Sequence, residues 1–67
     1  MKLRTDAELF VAAITQSPVD IYAGGLREFT GIIARFTPIS ICVKDPDNDG
    51  ESTYFWRDNC VVKITVE

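Results

Sequence analysis

The residues best equipped for chemistry lie between Lys44 and Glu51, in the run KDPDNDGE. Asp45, Asp47 and Asp49 stand at alternate positions and Gly50 follows them. That is how the first half of a calcium loop presents oxygen ligands around a sharp turn. The second half does not follow. A bidentate glutamate is needed at the twelfth position, and Trp56 stands there. The flanks read as strands, whereas such loops join two helices. The run is therefore expected to be the polar tip of a hairpin. Asp45, Asp47 and Asp49 remain weak candidates for cation association.

Other chemistry has little to work with. The chain has no histidine. Its two cysteines, Cys42 and Cys60, are far apart, so an ordinary zinc site is not expected. Both are expected to be free, buried thiols in strands. Acid–base catalysis would fall on carboxylates and lysines that are scattered or gathered at the acidic tip, with no nucleophile beside a plausible base. Neither an enzyme nor a cofactor is expected.

Ten acidic and seven basic residues give a net charge of −3. Four of the acids, Asp45, Asp47, Asp49 and Glu51, fall in the one run, so the body of the chain is near neutral. No basic run marks a nucleic-acid footprint, and DNA is not expected as a partner. Stacking and backbone contacts to a single strand need few charges. The start MKLRTDAELF lacks an apolar secretory core, and no apolar run is long enough to span a bilayer. A cytoplasmic protein without membrane contact is the expectation.

These side chains need a frame, and 67 residues allow one domain, 1–67. A chain this short buries only about 60% of its unfolded surface. Its apolar fraction is 46 %, which suggests that some apolar surface is covered between subunits.

The stretch after Arg4 reads as a helix over about 6–16. Thr5 and Glu8 form a capping box, Leu9, Phe10, Ala13 and Ile14 fall on one face, and Pro18 follows. Strands are expected at about 19–23, 26–36, 39–45, 52–57 and 60–66. Gly24-Gly25 is a two-residue hairpin connection. Gly31 is costly inside a strand unless the chain bends or another backbone approaches closely. Phe29 and Phe36 are assigned to the core. Tyr54, Phe55 and Trp56 could stack on bases, but division between core and interface is the preferred reading. Arg27 and Arg35 read as a solvated face or as cross-strand partners of Glu28 and Asp20. The fold class is mainly β: an N-terminal helix, then a strongly bent five-stranded antiparallel small barrel. The last strand is an apolar edge that calls for a partner chain.

PVDIYAGGLREFTGIIARFTPISICVKD, from Pro18 to Asp45, resembles the first signature of the Sm-like proteins, most closely their Hfq branch. Pro18, Val19, Ile21, Tyr22, Gly25, Gly31, Ile33, Phe36, Ile41 and Lys44 carry the likeness. WRDNCVVKI, from Trp56 to Ile64, is similar to a weakened second signature. The resemblance covers about residues 6–66. It implies a small SH3-like barrel of the LSm type, assembled into a homo-oligomeric ring of about five to seven subunits. The fourth strand of one subunit would pair with the fifth of the next.

It further implies binding of single-stranded RNA at or near the pore. Ile39, Ser40, Arg57 and Asn59 would face the pore, and Tyr22 would offer a stacking surface on the other face. The chemistry departs from the Hfq branch in places. Thr37, Pro38 and Ile39 replace an acidic residue, a glutamine and a stacking phenylalanine, and Arg57-Asp58 replaces a lysine–histidine pair. A second expectation follows from these losses: a homo-oligomeric scaffold for protein partners that no longer binds RNA.

Overall fold

The computed structural model describes residues 2–47 and 50–65. The chain is mainly β, with one α-helix near the N-terminus and a six-stranded antiparallel sheet among the described residues. The elements are β1 (Lys2–Leu3), α1 (Asp6–Ile14), β2 (Val19–Ala23), β3 (Leu26–Phe36), β4 (Ser40–Asp45), β5 (Glu51–Trp56), a 3₁₀ turn (Arg57–Asn59) and β6 (Val61–Ile64). The strand order is β1-β6-β2-β3-β4-β5, and the sheet is not closed. No helix among the described residues is long and apolar enough to cross a membrane.

Helix α1 starts where the sequence places it. The Thr5 hydroxyl accepts from the Glu8 N–H, and the Glu8 carboxylate accepts from the Thr5 N–H. The helix ends at Ile14, two residues sooner than expected. Gln16 adopts φ 54°, and the N–H groups of Gln16 and Ser17 return to the carbonyls of Ala13 and Ala12. This is a Schellman closure with glutamine in the position glycine usually holds. Leu9 and Ala12 turn into the core. Phe10 and Ile14 do not share that face; they are 56 % and 64 % exposed.

Strands β2 and β3 form a hairpin over Gly24 and Gly25, both at positive φ. Paired glycines suit such a turn, whose two central residues are left-handed. β3 pairs with β2 through residues 26–31 and with β4 through residues 32–36. The hand-over falls at Gly31. A Cβ there would collide with the Lys44 carbonyl oxygen, so close approach of a second backbone requires the glycine.

Two irregularities interrupt β3, one leaving Glu28 and the other Ala34 without a register partner. Each extra residue reverses the alternation of side chains beyond it. Arg27 and Arg35 are thereby exposed, whereas Phe29, Ile33 and Phe36 pack on the core.

The core gathers Leu3, Leu9, Val19, Ile21, Ile33, Ile41, Val43 and Val62. Phe55 joins its margin and meets Phe29 at 6.0 Å between ring centres. Tyr54 and Trp56, its neighbours on β5, are exposed. At the start of β6 the side chains alternate, with Val62 buried and Val61 exposed.

Several strand boundaries differ, with β5 starting at Glu51 and β6 ending at Ile64. Ile39 precedes β4 and is exposed, so it does not share the core face of Ile41 and Val43. Arg57 opens the 3₁₀ turn rather than closing a strand, and Cys60 precedes β6. The sixth strand is β1. Two residues are too short to show a period, and Leu3 reaches the core only through its long-range pairing with Val62.

Candidate nucleic-acid interface

The residues proposed for the pore side divide into two places. Ile39, Ser40 and Arg57 come together. The Arg57 N–H donates to the Ile39 carbonyl at 2.9 Å, and Arg57 Nη1 donates to the Thr37 carbonyl at 2.7 Å. The Ser40 hydroxyl is 2.8 Å from that of Thr37, whose oxygen also accepts the Ser40 N–H at 3.0 Å. These bonds tie the connection between β3 and β4 to the 3₁₀ turn.

Arg57 is heavily engaged. Its Nη2 lies 2.8 Å from Asp6 Oδ1 at the start of α1, and its guanidinium carbon sits 5.9 Å from the centre of the Phe36 ring. The side chain is only 19 % exposed. A guanidinium bridging a carboxylate, a carbonyl and an aromatic ring is a clamp between three segments.

Asn59 stands elsewhere. It lines a shallow depression with Tyr22, Gly24, Gly25, Lys2, Lys63 and the acidic Asp58. Strand alternation explains the set. Val19 and Ile21 face the core from β2, so Asp20 and Tyr22 face outward. Lys63 on β6 is the register partner of Asp20, and Lys2 on β1 is that of Lys63. The Lys63 ammonium lies 4.8 Å from the centre of the Tyr22 ring, within cation–π range. Arg27 is the register partner of Tyr22 on β3.

Asp20 is the buried carboxylate of this face. Its Oδ1 accepts from the hydroxyls of Thr30 at 2.7 Å and Thr65 at 3.1 Å. Of the two readings of the arginines, pairing with Asp20 does not hold: its partners are Thr30 on β3 and Thr65 just past β6. They satisfy it without a counter-ion.

The acidic run forms the β4–β5 hairpin, in which Asp45 pairs with Glu51. Asp45 Oδ1 accepts the Asp47 N–H at 2.9 Å, and the Asp45 carbonyl accepts the Gly50 N–H. Gly50 is at φ 73°. The Asp45 carboxylate thus shapes the turn. Asp49 lies outside the described residues. Among the described residues no group of three Asp, Glu, Cys or His side chains is arranged to hold a metal ion.

Both cysteines are free, Cys42 buried and Cys60 half-buried. Burial pushes the Cys60 thiol up from its ordinary value, with Arg57 acting in the opposite direction.

The sequence did not single out Lys2 and Lys63. The outward phase of Lys63 was visible in the alternation of the last strand. The position of Lys2 depends on β1, which no local pattern announces.

No family model, curated protein or solved structure matches the chain.

Proposed function

We propose that this chain is an Sm-like small-barrel protein that assembles into a homo-oligomeric ring and binds single-stranded RNA. The binding surface in this proposal is the face of Tyr22, with Lys63, Lys2 and Asn59 around it. The observation that carries it is Lys63 held over an outward Tyr22 ring, in a depression that Gly24 and Gly25 help to line. A base stacked on Tyr22 would draw the Lys63 ammonium to its phosphate. The glycines would let a strand approach the backbone. In support of the scaffold are the two-residue turn, the glycine hand-over in β3 and the antiparallel strand succession that the resemblance implies.

Arg57 is not given a phosphate role. Its donors are engaged by Asp6 and the Thr37 carbonyl. Tyr22 is the principal contact in this proposal, and Ile39, Ser40 and Arg57 tie the 37–40 connection to the 3₁₀ turn.

The test is fluorescence anisotropy with labelled oligo-A and oligo-U at low and near-physiological salt. Tyr22→Ala should weaken binding about tenfold or more, as expected for loss of one stacked base. Lys63→Ala should weaken it and flatten its salt dependence. No saturable binding at low salt would refute the reading. The engagement of Arg57 favours the second expectation, a scaffold for protein partners, and that outcome would select it.

A further inference from the structure

Strand phase sorts the aromatic triplet of β5. Phe55 turns to the margin of the core, so Ser52, Tyr54 and Trp56 face outward. Tyr54 and Trp56 are 58 % and 62 % exposed. They stand two residues apart on one strand, a rise of about 6.8 Å. A shallow cleft of about 280 Å³ opens beside them, lined by Ser40, Tyr54, Phe55 and Trp56. Register adds the charges. Lys44 is the partner of Ser52, Cys42 is that of Tyr54, and Arg35 lies beyond Cys42 on β3. Register partners share a face, so Arg35 and Lys44 stand on the same side of the sheet as the two rings.

We infer that this outward face of β4 and β5 is a second surface for single-stranded RNA, with bases stacked on Trp56 and Tyr54 and phosphates held by Arg35 and Lys44. It goes beyond the Tyr22 face, which is built on β2 and β6, and shares no residue with it. Flat rings at alternate positions offer stacking to any base, and cations beside them meet the backbone. Charge selects the occupant. No carboxylate shares the outward phase on β4 or β5, and two cations would repel a basic peptide. Asp45 and Glu51 are register partners of the opposite phase at the hairpin end. They bound the surface there, so the strand runs along Tyr54 and Trp56 away from the acidic tip.

Arg35 donates to the Tyr54 hydroxyl, and a guanidinium with five N–H groups keeps others for phosphate. Lys44 is half-buried, so this is the weaker of the two surfaces. Two phosphate contacts on a single strand give a slope of log affinity against log salt of about −1.4.

Trp56 is the single tryptophan of the chain, so its emission reports this face and not that of Tyr22. Short labelled oligo-A and oligo-U are titrated at low salt, with fluorescence quenching and anisotropy read together and circular dichroism to confirm folding. Quenching should saturate in the unaltered chain, and with the same affinity in a chain carrying Tyr22→Ala and Lys63→Ala. Tyr54→Ala should weaken it about tenfold, the loss of one stacked base. Tyr54→Leu keeps an apolar side chain on the strand and should weaken it as much. Lys44→Gln should make the salt slope shallower by about 0.7. Quenching lost in the Tyr22→Ala, Lys63→Ala chain, or unchanged by Tyr54→Leu, overturns the second surface. An anisotropy change without quenching also overturns it and leaves the Tyr22 reading standing. Quenching that persists while Tyr22→Ala leaves the anisotropy unchanged sustains this surface and refutes the other. No binding by either signal refutes both.

Discussion

Arg35 and Tyr54 meet across β4. Arg35 Nη2 donates to the Tyr54 hydroxyl, and the guanidinium carbon lies 5.6 Å from the centre of the tyrosine ring. Cys42 is the register partner of both, one on each side. The two side chains close over it, and the thiol residue is 2 % exposed on a strand whose other face is also buried. The Ala34 bulge makes this possible, because without it Arg35 would point into the core.

The arrangement predicts a difference between the two thiols. Cys60 should label first with a maleimide, and Cys42 should label only as the strand pair opens. Tyr54→Ala should speed labelling of Cys42 about tenfold, the effect of removing about 1.4 kcal/mol from local opening. Peptide mass spectrometry over a labelling time course reads both sites. Equal rates in the unaltered chain would show that the cover does not form.

Gly31 should be the glycine least able to change. A methyl group there collides with the Lys44 carbonyl, and backbone on backbone cannot yield as a flexible side chain can. Gly31→Ala should cost about 3 kcal/mol, a fall in Tm of about 10 °C or more for a chain of this length. Gly25→Ala is the comparison. At φ 82° it is strained but meets nothing nearby, so it should cost only about 1–2 kcal/mol. Thermal melts of the two variants decide the order.

Legibility in the sequence follows the range of each contact. The capping box of Thr5 and Glu8, the Gly24-Gly25 turn and the alternation around Val62 are local patterns, and all three are where the residues place them. Gly31 could be read as a site of close approach, but not that Lys44 is what approaches. Arg27 and Arg35 stand on the solvated face that is one reading of them, but the bulges at Glu28 and Ala34 that put them there leave no local mark. The clamp at Arg57 joins residues far apart in the chain, Asp6, Thr37 and Phe36, and a sequence reader sees only an isolated cation. Hydrophobic periodicity put Phe10 and Ile14 in the core because both fit a helical stripe. The stripe that packs is the one through Leu9 and Ala12, and small Ala12 lets the helix sit close.

Stability should fall in acid through Glu8. Its carboxylate accepts the Arg4 N–H at 2.8 Å and the Thr5 N–H at 3.1 Å. The bond from Arg4, then that from Thr5, hold its pKa below the ordinary carboxylate value. The unfolded chain therefore takes up the proton first as pH drops. The contribution is complete above the unfolded value of about 4.5 and is lost as pH falls through the lower folded value. Glu8→Gln removes the titration, so its melting temperature should vary less with pH between 5 and 3 than that of the unaltered chain. Parallel acid limbs for the two proteins would remove Glu8 from the account.

Arg57 and Tyr22 should separate stability from binding. Arg57 holds the start of α1 to the 37–40 connection through Asp6 and the Thr37 carbonyl. Arg57→Ala leaves that carbonyl without its donor and should cost about 2 kcal/mol. Arg57→Lys keeps the charge but has one nitrogen for two acceptors, and should recover only part of the loss. Neither change should alter RNA affinity more than about twofold once the variants are compared well below their melting temperatures. Tyr22→Ala should behave in the opposite way, weakening RNA binding with a smaller effect on Tm, because its ring faces outward under Lys63. Melting and anisotropy measured on the same three variants place each residue. A tenfold loss of affinity in Arg57→Lys with little change in Tm would return the binding site to the Arg57 side of the sheet.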